Sequence, residues 1–544
     1  MMDAGLLLVA TLAVPLAMAT ACLSPWLRAQ MLGWLPLAPL PGLITAFFAK
    51  GDSIVVAPPP LRLTLALDDV GAMLLGGASL LWGAAGLYAS VSMRAEQGAA
   101  GFAVWWLLTL AGSLGVFIVA DMTSFYLAFS LASLAAYGLV AYEGTARAQR
   151  ASVVYMALAL VGEALILLGL VMLVTAAPGG NPLIRDAVAM LPGSPLERPA
   201  LVLLVLGFGL KMGLVPLHVW MPLAHPVAPI PASAALSGII VKAGVIGLIR
   251  FLPLGEANLE VGQVLVLLGL LTAFYGVIVG LTQRHPKTIL AYSTVSQMGF
   301  VAAVLGAGLA GGEPDTAILA AFYALHHLLV KGALFLGVGI VGSTGTKYLS
   351  RVLVPMGLLA LSLAGLPFSS GALAKLATKP LFGDGMVAAA AAAAAAVGSA
   401  LLMFHFVNCL RAKAHESHEM APEPPLLLSW VIVGVASLLV PWALFGNVTP
   451  YTLPDAVTAG ALWGAAWPIA LGALLAFLLK GSQDRFPAIP EGDIVVFYEK
   501  LGRLGSSIGT FIAHVEQSLR RWPEAVLGLL TLAILLSAAL QFAR

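Results

Sequence analysis

Along most of the chain, apolar residues run for about twenty positions and are then cut by short clusters of Gly, Pro and charged residues. A helix rises 1.5 Å per residue, so each run matches the roughly 30 Å hydrocarbon core of a bilayer and predicts a spanning helix. Cutting at the polar punctuation gives about sixteen runs, near 4–22, 31–48, 70–92, 101–120, 122–142, 151–175, 199–221, 230–251, 262–282, 288–307, 316–343, 353–376, 385–410, 426–446, 457–479 and 523–542. The opening MMDAGLLLVATLAVPLAMATACL lacks a basic leader and reads as the first span. The nine alanines at 388–396 read as a packing face inside another. After Lys480 apolar and polar residues mix, and 493–521 predicts an amphipathic helix about 43 Å long lying along the membrane before a last anchor.

Composition agrees with that pattern and narrows the chemistry. The chain is 60% hydrophobic and 10% charged, with a mean hydropathy of +0.99, whereas soluble domains carry about 25% charged residues. A net charge of +2 gives no footing for nucleic acid. Cys22 and Cys409 are the only cysteines and have no ligand spacing. No dinucleotide fingerprint and no Walker motif is present. No cofactor and no metal site is therefore expected in this chain, and redox chemistry is expected on other subunits.

Loop cations set an orientation. With the N-terminus outside, the outer segments hold Lys50, Arg62, Arg185, Arg198, Arg250, Lys379 and Arg544, and the inner loops hold more than twice as many. Lys211, Lys242, Lys331 and Lys375 remain within spans. A lysine at a helix centre costs about 2.5–3.5 kcal/mol, so four unpaired ones would cost roughly 10–14 kcal/mol. Lys375 lies near enough to a helix end to snorkel. The set as a whole marks an ion or proton pathway, because a desolvated ammonium is a ready proton donor.

Only Glu163 places a carboxylate well inside a span, in VYMALALVGEALILLGL. One glutamate cannot neutralise four lysines. Histidines add titratable steps: His326 and His327 precede Lys331, with His327 and Lys331 four apart on one helix face. His218 and His225 flank a broken span, and His405 lies in a later one. Two spans carry breakers beside a lysine. Pro216 follows Lys211, while Gly365, Pro367 and Gly371 precede Lys375. Each break is fourth in a run of five helices, the arrangement of transporters built from inverted repeats.

The stretches KMGLVPLHVWMPLAHPVAPIPASAALSGIIVKAGVIGLIRF, HPKTILAYSTVSQMGF and HHLLVKGALFLGVG resemble the antiporter-like membrane subunits of the complex I superfamily. That superfamily spans NADH-quinone oxidoreductases, membrane-bound hydrogenases and multisubunit cation/proton antiporters. The resemblance implies proton carriage by Lys211 in a broken helix, by Lys242, by His327 with Lys331, and by Lys375. Two departures stand out. The family's fifth-helix Glu is replaced by Ser130, and WMPLAH has Leu223 where the family has Asp. Glu163, one helix on, is the expected replacement counter-charge for Lys211.

The expected fold is an all-α polytopic membrane protein of about 14–16 spanning helices with two inverted five-helix repeats. The expected divisions are N-terminal helices (1–93), a first repeat (94–260), a second repeat (261–410), additional helices (411–480), a lateral segment (481–522) and an anchor (523–544). The expected function is a proton-translocating, or sodium-linked, subunit of a complex I-related energy-converting complex. It would sit in the inner (plasma) membrane with its amphipathic segment on the cytoplasmic side, among other membrane subunits and lipid. Two alternatives share the same membrane chemistry: the membrane subunit of an inorganic-carbon accumulation complex with a zinc carbonic anhydrase-like partner, and a subunit of a multisubunit cation/proton antiporter.

Overall fold

The computed structural model describes residues 4–56, 63–96, 98–177, 183–383, 386–413, 421–480 and 489–496. The expected anchor at 523–544 and most of the expected lateral segment at 481–522 lie outside the described residues. Helices begin where a short polar side chain can take up an orphan backbone N–H. Asp68, Asp121, Thr145 and Asn258 each accept a hydrogen bond from the third residue beyond, opening four of the long helices.

The chain enters through α1 (Ala4–Ala21), α2 (Pro25–Trp34) and α3 (Leu40–Phe48). The single span expected at 31–48 is two shorter helices, because Pro36, Pro39 and Pro41 interrupt the ladder with a 3-10 turn. An antiparallel hairpin, Ser53–Val55 with Thr64–Ala66, leads into α4 (Asp69–Ser92), α5 (Ala99–Ile118), α6 (Met122–Val140) and α7 (Ala146–Ala176). The Asp121 carboxylate also takes the Thr64 N–H at 2.8 Å, tying the hairpin to the start of α6.

Beyond the short α8 (Ile184–Ala189) come two half-helices, α9 (Glu197–Met212) and α10 (Trp220–Val227). Then follow α11 (Ile230–Ala235), α12 (Val241–Phe251), α13 (Leu259–Leu281), α14 (Pro286–Gly311) and α15 (Thr316–Gly342). A second pair of half-helices, α16 (Leu349–Ala364) and α17 (Ser370–Thr378), precedes α18 (Met386–Arg411), α19 (Pro424–Val448) and α20 (Ala459–Leu478). Thirteen helical stretches among the described residues are long and apolar enough to cross a membrane. The half-helices, of 16 and 8 residues and of 16 and 9, are individually too short. The chain is an all-α, multi-pass membrane protein.

Burial separates the helices by role. α11–α12 and α14 are buried along their length, whereas α13, α19 and α20 turn large apolar residues outward, such as Val264, Leu267 and Ile278. In lipid such an outer face costs nothing, so close backbone contact has to hold the bundle together. α13 and α14 achieve it with small residues seven apart. A side chain at Gly269 would start 2.5 Å from the Ala303 N and the Gly299 O, and Gly262 and Gly276 are equally tight against α14. Gly269→Leu should therefore remove the monodisperse protein from a detergent extract, since rigid backbone cannot yield to it. Gly446→Leu, which has nothing within 4 Å, should extract as wild type in the same gel-filtration assay.

Candidate functional site

The first break is made by Gly213, whose positive φ of 83° ends α9, and by Pro216, which lacks an N–H. Trp220 Nε1 donates to the Leu210 carbonyl at 2.9 Å, and the Val215 N–H donates to Thr272 Oγ1 at 3.1 Å, so the freed groups are met. Lys211 sits in the last turn of α9 and is 3% exposed. Its ammonium donates to Ser133 Oγ at 2.8 Å and to Tyr155 Oη at 3.2 Å, and it lies over the Tyr155 and Phe129 rings. Tyr155 in turn donates to the Ser133 carbonyl at 2.6 Å.

Glu163 is buried on α7. No ion pair with Lys211 forms at contact distance. Glu163 Oε1 and the Ser130 hydroxyl both lack a partner among the described residues.

The second centre lies where α12 meets α15. A π turn spans Leu236–Ile240, and Lys242 Nζ donates to the Ser237 carbonyl within it at 3.2 Å. The same nitrogen is 2.5 Å from His327 Nδ1. His327 was expected to face Lys331, one turn along α15. Its contact is instead with Lys242, and Lys331 donates to the Leu290 carbonyl at 2.8 Å and to Ser293 Oγ, both on α14. His326, the preceding residue on α15, pairs through Nδ1 with Ser370 Oγ at 2.8 Å at the second break. There Gly365 has φ of 100°, and Lys375 donates to the Ala364 carbonyl. Lys379 is exposed just beyond α17.

His225 is fully buried between these centres, its ring 5.1 Å from Phe335 and 6.3 Å from Trp220, and neither ring nitrogen has a partner. His405 stands apart, with Nε2 2.7 Å from the Gln283 carbonyl.

Several groups escaped the sequence reading. Lys287, counted with the inner loops, is buried and donates to the Ala228 carbonyl at 2.5 Å between α10 and α11. Ser133, Tyr155 and Ser293 hold the lysines but carry no signal in hydropathy. Asp493 is brought by the segment after α20 to His218, with Oδ2 3.3 Å from Nε2. Burial alone would raise that carboxyl, but hydrogen bonds from His218, Tyr275 and the Ile494 N–H hold it below the ordinary range. Its contribution to docking is thus complete above the free carboxyl value of about 3.9 and is lost only as pH falls through the lower folded value.

The fold and the buried amines define a polytopic membrane protein with ionisable groups strung through its interior. The chain belongs to the NADH:quinone oxidoreductase/Mrp antiporter, TM family, whose profile matches residues 119–404. It is 30% identical over 292 residues to hydrogenase-4 component B of Escherichia coli, covering 51% of this chain and 43% of that one. It is 34% identical over 342 residues to NADH-quinone oxidoreductase subunit N of Desulforudis audaxviator, covering 58% of this chain and 66% of that one. The matches thus span less than two thirds of those curated relatives. A chain of the Mrp complex from Dietzia has the same fold, with a TM-score of 0.75 at 22% identity over 99% of this chain and 63% of that one.

Proposed function

We propose that the chain is the proton-translocating subunit of a multisubunit energy-converting membrane complex, with redox chemistry on partner subunits. The observation that carries this reading is the set of buried amines bonded to neutral acceptors. Lys211 rests on two hydroxyls, Lys331 on a hydroxyl and a carbonyl, and Lys242 on an imidazole. Permanently fixed charges would need counter-ions to offset desolvation. Amines that load and release protons need neutral partners that can also donate.

In this reading protons enter near His218, load Lys211 under the influence of Glu163, pass by Lys242 and His327 to Lys331, and leave near Lys375. The two runs containing α9–α10 and α16–α17 are taken as inverted halves, each with its own broken helix. The N-terminus is assigned to the outside of the inner (plasma) membrane from the loop cations, and other membrane subunits are the expected partners. The hydrogenase and quinone oxidoreductase names among the relatives support a redox-driven complex. The antiporter in the name of the matching family supports a second reading, a cation/proton antiporter subunit in which protons are exchanged for a cation such as sodium.

Vesicles holding the assembled complex separate the two, since uptake driven by a redox substrate and uptake driven by an imposed sodium gradient can be read with one pH dye. Glu163→Gln should lower coupled uptake about tenfold, short of the roughly hundredfold loss of a group that itself carries the proton. Full transport by this variant would sink the assignment of Glu163 as counter-charge to Lys211.

A further inference from the structure

The break between α9 and α10, GLVPLHVWMPLAH, contains no acidic residue, yet a carboxylate is seated on it. The segment Ile489–Val496 returns to the end of the bundle that carries the α6–α7 and α13–α14 turns. It is held there three ways. Gln283 Nε2 donates to the Ile489 carbonyl at 3.0 Å, Arg147 forms an ion pair with Glu491, and Thr288 donates to Glu491 at 2.7 Å. Gly492, at φ 77°, lies against Leu223, so close that a Cβ there would be 2.8 Å from Leu223 Cδ2.

These contacts would fasten the segment without Asp493. Even so, the Asp493 side chain is 7% exposed, and burying a charge is costly unless it is matched. Its Oδ2 meets His218 Nε2 at 3.3 Å, accepts from Tyr275 at 2.5 Å and from Tyr292 at 3.2 Å, while Oδ1 accepts from the Ile494 N–H. The groups facing it are His218 from the break, Tyr275 from α13 and Tyr292 from α14. Glu491 with Arg147 lies two residues away, and His285 and Lys287 stand beyond them.

His218 is itself fully buried, with its ring centroid 4.9 Å from that of Tyr275, and its Nδ1 has no partner among the described residues. One nitrogen therefore meets a carboxylate while the other is free, the arrangement an imidazole needs to take a proton on one side and give one from the other. Trp220, two residues on, packs at 5.4 Å against Tyr155, which binds Lys211.

We propose that Asp493 and His218 form the proton-loading site of the first broken helix, with the carboxylate delivered by the segment that follows the last described span. A proton from water at that end loads Nε2, where the Oδ2 charge stabilises the imidazolium. A proton then leaves Nδ1 toward Lys211, and the ring turns to bring the remaining proton back to the Nδ1 side before the next load, so the pair gains and loses none over a cycle. Asp493 is a positioning residue in this scheme. The proposal rests on the reading of Lys211 as a proton carrier.

The test is coupled proton uptake against pH in vesicles of the assembled complex, for wild type, Asp493→Asn, Asp493→Glu and Lys211→Ala. Hydrogen exchange of the 489–496 amides reports docking separately. Asparagine can still accept from both tyrosines, so Asp493→Asn should keep wild-type protection at the amides other than Ile494, whose N–H loses its acceptor, while uptake falls about tenfold, less than the roughly hundredfold expected for a group in the path, and its pH profile shifts. Asp493→Glu should recover most of the rate. Unchanged uptake and pH profile in Asp493→Asn would overturn the proposal. So would loss of both protection and uptake without rescue by Asp493→Glu, which would make the segment a plain fastening. If Lys211→Ala transports normally while Asp493→Asn does not, the reading of Lys211 as carrier falls and the hand-over from Nδ1 to Lys211 falls with it, even though Asp493 is needed for uptake. Normal transport by both variants overturns both.

Discussion

Alanine at Lys211 will reduce coupled proton uptake by about a hundredfold or more, the scale on which a positioned proton-transfer group contributes, while the complex still assembles. The expectation follows from what the side chain touches. Its ammonium is the one basic group bonded to Ser133 and Tyr155, and both contacts are fully enclosed by α6, α7 and α9. Truncation leaves Tyr155 its hydrogen bond to the Ser133 carbonyl and takes one partner from the Ser133 hydroxyl, a loss a helix-borne serine can tolerate. It also leaves Glu163 buried without a cation nearby, and a lone buried carboxylate neutralises by taking up a proton. The fold should survive and transport should not.

Lys211→Arg sharpens the test. A guanidinium keeps the positive charge and can satisfy both hydroxyls, but it stays protonated. If Lys211 merely supplies charge, the arginine variant transports. If it must release its proton, the arginine variant is as inactive as alanine, and that is the expected result. Uptake should be read beside the driving activity of the partner subunits and the yield of assembled complex.

How much of this could be read from the chain depends on the range of the interaction. Membrane spans are local, so the apolar runs located helices such as α4, α13 and α15 closely. Isolated lysines in those runs are equally conspicuous, because nothing else in such a sequence is as costly to bury. The partners are another matter. Ser133 and Tyr155 lie 78 and 56 residues from Lys211, and hydropathy barely distinguishes a hydroxyl that binds an ammonium from one that packs.

His327 and Lys331 share a helix face, which made them appear a pair, but α12 brings Lys242 against His327 from 85 residues away. Helical spacing predicts only contacts within one helix. Lys287 misled for a related reason. It begins α14 next to a loop, where a cation would normally be solvated, yet the break between α10 and α11 offers its Nζ a carbonyl. Asp493, 275 residues from His218, could not be placed by any local rule.

The second large effect is expected at Lys242 and His327. Nζ and Nδ1 are 2.5 Å apart, and two protonated groups cannot share that separation in a dry interior, where like charges repel far more strongly than in water. The pair therefore holds one bridging proton, donated either by the ammonium to the bare Nδ1 or by an Nδ1–H to the free amine. Moving between those forms shifts a charge from α12 to α15 with almost no displacement of atoms. The Ser237 carbonyl steadies the lysine end, and the Ser237 hydroxyl is fixed at 2.8 Å by Thr294.

Lys242→Met and His327→Gln should each lower coupled uptake by about a hundredfold. The double variant should be little worse than either alone, because groups acting as one unit lose their function once. Multiplied losses in the double variant would mean that the two residues serve separate routes. A normal rate in Lys242→Met would mean that protons bypass the contact between α12 and α15, leaving Lys242 and His327 as a packing contact.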